Sequence, residues 1–287
     1  MVEYHWSSEV EAAHHDSLLD LIEGAFAGEA REFFAEKPEA SDLAAMFGGC
    51  AIGIFATAGD DLVAYARVMS DHCMCSWIAE LCVHPDWRGK GIGRELVTRI
   101  RERFARTAIY INVPATDLDF IHKTGLLYKP KLVASGVRAD PRLRTSSVPV
   151  PEGIRIVRDV SMLTAEAMEE VCESVGFTIR NVTAEEILVR CWQQEHIHSD
   201  LAFAGDRLVG LVRVFSDGVR SSWLSEICVH PDWQRKGVGT ALLKSVRARF
   251  AHTALFTEAF AETLDFFRPI IPAAPGWLGC SLKSVRK

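Results

Sequence analysis

Along the first 47 residues, Leu, Ile, Phe and Met recur at helical spacing between polar faces, which predicts helices over 8–28 and 29–47. The period then changes. Short apolar runs at 51–57, 62–69 and 77–83, separated by a Gly59-Asp60-Asp61 turn and a loop around Asp71, predict three consecutive strands. A helix is expected from Gly93 to Phe104, then a strand at 108–113 and a short helix carrying Leu118-Asp119-Phe120. The succession returns at 201–204, the Gly205-Asp206-Arg207 turn, 208–215, Asp217-Gly218, 223–229, a helix from Gly239 to Phe250, a strand at 254–257 and Leu264-Asp265-Phe266. Helices, an antiparallel meander, a crossover helix and a further strand predict an α/β layer fold in each half.

The recurrence is an internal duplication. Fourteen residues from Glu80 to Gly93 return 146 positions later as Glu226 to Gly239, with ten identities. Arg67 and Arg213, Asp71 and Asp217, and Trp77 and Trp223 extend the match at the same offset. Between the copies, the segment around Pro141, Pro149 and Pro151 has no apolar periodicity and reads as an exposed linker. The chain of 287 residues therefore divides into domains at 1–137 and 153–287, joined by a linker at 138–152.

Each repeated segment runs from an apolar strand through His-Pro-Asp-Trp into a glycine-interrupted loop that opens a helix. Glycines let the backbone approach a ligand with its N–H groups converging, and the helix adds the positive end of its dipole. Arg88, Lys90 and Arg94, or Arg235 and Lys236, add positive charge. Such a cradle suits a pyrophosphate. Two common phosphate loops do not fit. A P-loop would end in Gly-Lys-Ser/Thr, and a dinucleotide fingerprint would place a small residue where Leu96 and Leu242 stand.

The pattern Arg/Gln-x-x-Gly-x-Gly after an apolar strand ending in Val-His-Pro resembles the GNAT superfamily of acyl-CoA N-acyltransferases, in a tandem, mycothiol synthase-like arrangement. The resemblance implies two GNAT domains, each a mixed, mainly antiparallel twisted sheet flanked by helices. It implies acetyl-CoA as co-substrate. Coenzyme binding would fall in the first half to Leu81, Cys82, Val83, Arg88, Gly89, Lys90, Gly91, Ile92, Gly93 and Arg94. In the second half it would fall to Ile227, Cys228, Val229, Gln234, Arg235, Lys236, Gly237, Val238, Gly239 and Thr240. In the family a splay between the fourth and fifth strands admits the pantetheine arm, which implies slots between 81–83 and 109–111 and between 227–229 and 255–257.

The family's chemistry implies N-acetyl transfer to a primary amine of a small molecule by direct attack. Orientation alone can supply about 7–11 kcal/mol of such a barrier. A peptide or protein amine, an O- or S-acceptor, and a non-catalytic acyl-CoA-binding or sensing role stay open. Glu80 and Glu226 are the candidate bases, with pairing to Arg67 and Arg213 across the sheet as the alternative. Many members carry a tyrosine after a phenylalanine on the last helix as the acid; here the pairs are Phe120-Ile121 and Phe266-Phe267. Tyr128 and His122 are the substitutes in the first half, while Arg268-Pro269 breaks the corresponding helix in the second. The first half is accordingly expected to be the catalytic one.

Composition narrows the setting. With 48% hydrophobic and 24% charged residues the chain reads as globular, and no apolar run approaches a membrane span, so a cytoplasmic location is expected. Eight cysteines lack metal spacing and Cys82 and Cys228 sit in apolar strands, so no metal is expected. A net charge of −6 argues against nucleic acid as partner.

Overall fold

The computed structural model describes residues 3–9, 11, 14–25, 33, 38–140, 143, 148–177 and 183–283. Parts of the expected 29–47 helix and of the 138–152 linker lie outside these residues. The first half contains β1 (His5–Ser7), α1 (His15–Ala25), a 3-10 turn leading into α2 (Leu43–Met46), β2 (Ala51–Ala58), β3 (Asp61–Ser70) and β4 (Cys75–Val83). It continues through α3 (Ile92–Arg103), β5 (Ala108–Pro114), α4 (Leu118–Thr124) and β6 (Leu127–Tyr128). Then come β7 (Leu132–Val137), β8 (Ile154–Val157), α5 (Ala165–Ser174), α6 (Ala184–Ile187) with a π-helical turn after it, β9 (Ile197–Ala204) and β10 (Arg207–Ser216). The chain closes with β11 (Ser221–Val229), α7 (Val238–Arg249), β12 (Ala254–Phe260), α8 (Leu264–Phe267) and β13 (Trp277–Leu282).

Two sheets form, in the orders β1-β2-β3-β4-β5-β13-β6 and β7-β12-β11-β10-β9-β8. They are antiparallel except for the parallel pairs β4–β5 and β11–β12. The strands exchange partners across the halves. β7 comes from the first half and pairs with β12, whereas β13 comes from the second half and pairs with β5. The expected domains at 1–137 and 153–287 therefore do not coincide with the sheets, which trade 132–137 for 277–282. The outer edges of β5 and β12 present backbone N–H and C=O groups that need partners, and these groups pair by geometry rather than by nearness in sequence.

A bulge recurs at the same place in both copies. Arg67 faces Glu80 and Val68 faces Ile78, leaving Ala79 as the extra residue on β4; Arg213, Glu226, Val214 and Leu224 repeat this around Ser225 on β11. A bulge bends its strand and increases the local twist. Pairing of β4 with β5 accordingly ends at Ile78 and Ile111, and that of β11 with β12 at Trp223 and Phe256.

Each sheet packs its crossover helix over a core of its own. Leu96, Val97 and Ile100 of α3 meet Ala64, Ala66 and Val68 of β3, and Leu242, Leu243 and Val246 of α7 meet Val209, Val212 and Val214 of β10. A further core joins the halves through Trp77, Trp223, Phe215 and Phe256. The Trp77 and Trp223 rings stack there with centroids 6.0 Å apart and planes within 5°. Charges cross the same junction. Arg67 Nη1 donates to Asp217 Oδ2 at 2.6 Å and Arg213 Nη1 donates to Asp71 Oδ2 at 2.8 Å. The other oxygen of each aspartate accepts three backbone N–H groups of its own loop, from Cys73, Met74 and Cys75 or from Val219, Arg220 and Ser221.

Candidate active site

Where β4 bends away from β5, a cleft of about 850 Å³ opens in the first half. One wall is Ile78–Val83 and the other is Ile111–Pro114, with Arg88, Gly89 and Gly91–Arg94 at the loop end. The facing segment thus lies farther along β5 than the expected 109–111, because Ile109 is still paired with Ser76. Asp117, Phe120, Ile121 and Lys123 close one side, and Trp277 arrives from the exchanged strand β13.

The loop is built by local chemistry. His84 Nδ1 accepts the Asp86 N–H at 3.3 Å, Arg88 Nε donates to Val83 O at 3.1 Å, and Lys90 lies 4.3 Å over the Trp87 ring. Gly91 caps α3 with φ of 89°, a left-handed conformation in which a side chain would be strained. A Cβ placed there would meet only open space. The first bond of the α3 ladder runs from Glu95 N–H to Gly91 O at 3.1 Å, so the N–H groups of Ile92, Gly93 and Arg94 precede the ladder and face outward. Gly93 has a packing role as well. A Cβ on it would lie 3.1 Å from Phe120 Cε2, so this glycine lets α3 pack on α4. Cys82 donates its thiol to Leu21 O at 3.4 Å, and burial pushes its pKa up to about 12, as befits a core residue.

The second copy keeps the loop with changes. Gln234 Nε2 donates to Val229 O at 2.9 Å and Lys236 lies 5.3 Å over the Trp233 ring, repeating the contacts of Arg88 and Lys90. Arg235 takes the place of Gly89 at φ of 58°. Gly237 caps α7, with Ile227, Cys228 and Val229 ahead of the loop and Val238, Gly239 and Thr240 beyond it. A Cβ on Gly237 would lie 3.2 Å from Pro151 Cγ of the connecting segment. Thr257 Oγ1 donates to Leu224 O at 2.9 Å, tying β12 to β11 where the first copy has Ile111.

The expected base in the first half does not have the properties of one. Glu80 Oε1 accepts from Arg67 Nη2 at 3.0 Å and Arg220 Nε at 3.2 Å, while Oε2 accepts from Arg67 Nε and Tyr65 OH, both at 3.2 Å. Four donors match the roughly four lone-pair sites of a carboxylate. Burial raises the Glu80 pKa, but the guanidinium groups of Arg67 and Arg220 outweigh it and hold the carboxyl below its usual range. A saturated, weakly basic carboxylate joins the halves rather than accepting a proton. Glu226 is held bidentately by Arg213 at 2.6 Å from both Nε and Nη2, and also accepts from Ser225 Oγ. For both glutamates the alternative of an arginine pair is the arrangement found.

Tyr128 also lies elsewhere. It sits on β6, half exposed, with β13 and β5 between it and the cleft. Neither Tyr128 nor His122 belongs to the cleft wall, and no tyrosine does among the described residues. Sequence reasoning missed Asn112 and Trp277. Asn112 could have been noticed at the repeat offset, where its counterpart is the acidic Glu258; Trp277 has no signal before the strand exchange is known.

Residues 51–129 match the family described as "Acetyltransferase (GNAT) domain", and residues 165–267 match the "Acetyltransferase (GNAT) family", together more than half of the chain. The chain belongs to the GNAT acetyltransferase family. A curated relative, "Uncharacterized N-acetyltransferase ycf52" of Porphyra purpurea, is 27% identical over an alignment of 115 residues that covers 36% of this chain and 61% of the relative. The chain thus spans about 61% of the length of the curated relative it matches. Among solved structures, a GCN5-related N-acetyltransferase from Sphaerobacter thermophilus aligns with TM-score 0.60 at 18% identity, covering 97% of this chain and 95% of the other. A tandem GNAT protein from the clavulanic acid biosynthesis pathway aligns with TM-score 0.54 at 18% identity over 99% of this chain and 100% of the other. These two likenesses show the fold along nearly the whole chain.

Proposed function

We propose that this GNAT protein transfers an acetyl group from acetyl-CoA to a primary amine of a small molecule, and that the first-half cleft is where it does so. The observation that carries the reading is the cleft itself: strands parted by the Ala79 bulge, leading to a helix N-terminus at Gly91. The residues fit the coenzyme. Open space around Gly91, three N–H groups ahead of the α3 ladder, and Arg88 and Arg94 beside them suit a pyrophosphate. The edge of β4 at Leu81–Val83, left without its parallel neighbour, offers backbone groups to an amide-bearing arm. The coenzyme supplies the activated acyl group as a thioester. The protein's part is to hold that group and the amine in line, with water excluded by Ile78, Ile111 and Trp277, so no covalent bond to the enzyme is needed.

A cytoplasmic setting belongs to this proposal, because all eight cysteines are free thiols. No helix among the described residues is long and apolar enough to cross a membrane. The acceptor is proposed as a small molecule rather than nucleic acid, in keeping with the net charge of −6.

A second reading, a non-catalytic acyl-CoA-binding protein, is favoured by one observation: among the described residues, the cleft wall includes no tyrosine to protonate a leaving thiolate. One experiment separates the two. Acetyl-CoA is mixed with the protein and a panel of primary amines, free thiol release is followed, and coenzyme binding is read by thermal shift. Thiol release that depends on the amine supports transfer. Binding without release from any amine would assign the second reading, and absence of binding would remove both.

A further inference from the structure

Among the described residues, four buried polar atoms where the halves meet have no hydrogen-bond partner: Trp77 Nε1, Asn112 Nδ2 and Oδ1, and Glu258 Oε1. They belong to one connected group. Glu258 Oε2 accepts from Trp223 Nε1 at 2.8 Å, Trp223 stacks on Trp77, and the Asn112 side chain lies beside the Glu258 carboxylate, where it favours the charged form without closing a hydrogen bond. Asn112 on β5 and Glu258 on β12 occupy equivalent places of the repeat, 146 residues apart. The asparagine also lines the cleft. Buried polar groups in folded proteins are nearly always hydrogen-bonded, so a group of four orphan atoms, two of them on a residue that lines the cleft, marks a place for a polar guest.

We propose that Trp77 and Asn112 of the first half and Trp223 and Glu258 of the second form a shared acceptor subsite, which takes a primary amine carrying a neighbouring oxygen. This inference rests on the reading of the first-half cleft as the acetyl-transfer site. The chemistry of the orphans sets the guest. Glu258 Oε1 and Asn112 Oδ1 accept hydrogen bonds, so the guest brings N–H groups; Trp77 Nε1 and Asn112 Nδ2 donate, so it also brings an acceptor. A 1,2-amino alcohol or an amino sugar has both, and a plain alkylamine lacks the second.

Glu258 is also suited to take the proton that Glu80 cannot. Burial raises its pKa to about 7, against the opposing influence of the Trp223 hydrogen bond, its own backbone and the neighbouring Asn112 amide. The titratable groups facing it are Tyr110 on β5 and Cys280 on β13, and Tyr110 in turn faces Cys75 on β4 and Glu226 on β11. None of these is a cation. As the amine nitrogen bonds the acyl carbon, the C–S bond breaks, the nitrogen's proton passes to Glu258 Oε1, and the thiolate takes a proton from water.

The test uses the full chain with 2-aminoethanol, glucosamine and butylamine as probes. Thiol release from acetyl-CoA gives activity, and the indole N–H resonances of Trp77 and Trp223 give binding in the absence of coenzyme. The expected result is that both oxygen-bearing amines shift the Trp77 resonance and butylamine does not. Glu258→Gln should lose that shift, lower kcat/KM for 2-aminoethanol by roughly 10²-fold or more and abolish an acidic limb near pH 7, with acetyl-CoA affinity unchanged. Asn112→Ala provides a second lesion on the cleft side, with the same loss of shift expected. Turnover with no Trp77 shift and an unaltered pH profile in Glu258→Gln would overturn the subsite while leaving transfer intact. A Trp77 shift that the variants abolish, without thiol release from any amine, would keep the subsite and overturn transfer. Neither shift nor release would overturn both.

Discussion

The two halves share a loop but differ in what surrounds it. At Gly91 the space in front of the helix N-terminus is open, whereas at Gly237 the connecting segment has laid Pro151 within contact distance. The first splay continues into a cleft walled by Ile111 and Asn112, while in the second Thr257 ties β12 back to β11. α4 runs seven residues to a glycine cap; α8 stops after four, before Pro269. Duplication preserved what the backbone needs to turn from strand into helix. Divergence fell on the walls of the slot, where function depends on the space left over.

The junction charges offer the largest effect by which to probe this contrast. Arg67 ties Glu80 of its own sheet to Asp217 of the other, so Arg67→Ala leaves buried carboxylates short of a cation and should cost about 3–5 kcal/mol in urea unfolding. Because Glu80 has a folded pKa below its unfolded value of about 4.3, its contribution is present above that pH and is lost as pH falls through the folded value. The gap between variant and parent should therefore narrow below about pH 4. A gap that stays constant down to pH 3 would show that packing around Arg67, rather than its ion pairs, joins the halves.

Next comes the cradle proposed for the coenzyme. Gly91→Val forces a β-branched residue into φ of 89°, a strain of about 1–3 kcal/mol that the loop can relieve only by changing shape. Acetyl-CoA affinity and turnover should fall about 100-fold, equivalent to about 2.7 kcal/mol. Gly237→Val meets Pro151 and should mainly lower stability. Equal losses of turnover from the two variants would mean two working sites and would end the asymmetry.

Glu258→Gln sharpens the comparison from the side of stability. A carboxyl raised from an ordinary value near 4.5 to about 7 is neutral in the folded chain over a window where the unfolded chain is charged. Its presence therefore costs increasing stability from about pH 4.5 to 7 and a constant amount above. At pH 8 the glutamine variant should be more stable than the parent by about 1–3 kcal/mol, and the gain should vanish near pH 4. Thermal unfolding at the two pH values checks this. A loss of stability at pH 8 would mean that the Glu258 carboxylate already has its full set of partners.

The smallest effect is expected at Tyr128. Tyr128→Phe should leave turnover within about twofold at all pH values, because two strands separate the residue from the cleft. A tenfold drop in kcat would reinstate it as an acid and would require the cleft to extend across β13.

Parts of the candidate site were legible because they are local. Gly91 is required by a left-handed cap and Pro85 and Asp86 by the turn before it, so Arg88 to Arg94 could be read directly from spacing. Glu80 misled for a local reason as well: its place on the strand before the loop is right for a base, but the cation that completes its saturation, Arg220, lies 140 residues away. Trp277 and Glu258 were out of reach for the same cause, since nothing in their neighbourhoods records which strand they will face.

The sequence by itself determined the duplication, the strand–loop–helix units and the glycine-loop turn into the helix, because backbone conformation over a few residues follows from glycine, proline and apolar period. Only the tertiary structure decided that β7 and β13 change places, that Glu80 is an ion-paired tie, and that Asn112 and Glu258 meet between the halves. Strand edges bond to whatever partner packing brings to them, and a carboxylate's character is set by the donors and the burial around it. Both depend on contacts between distant residues, which a linear pattern does not encode.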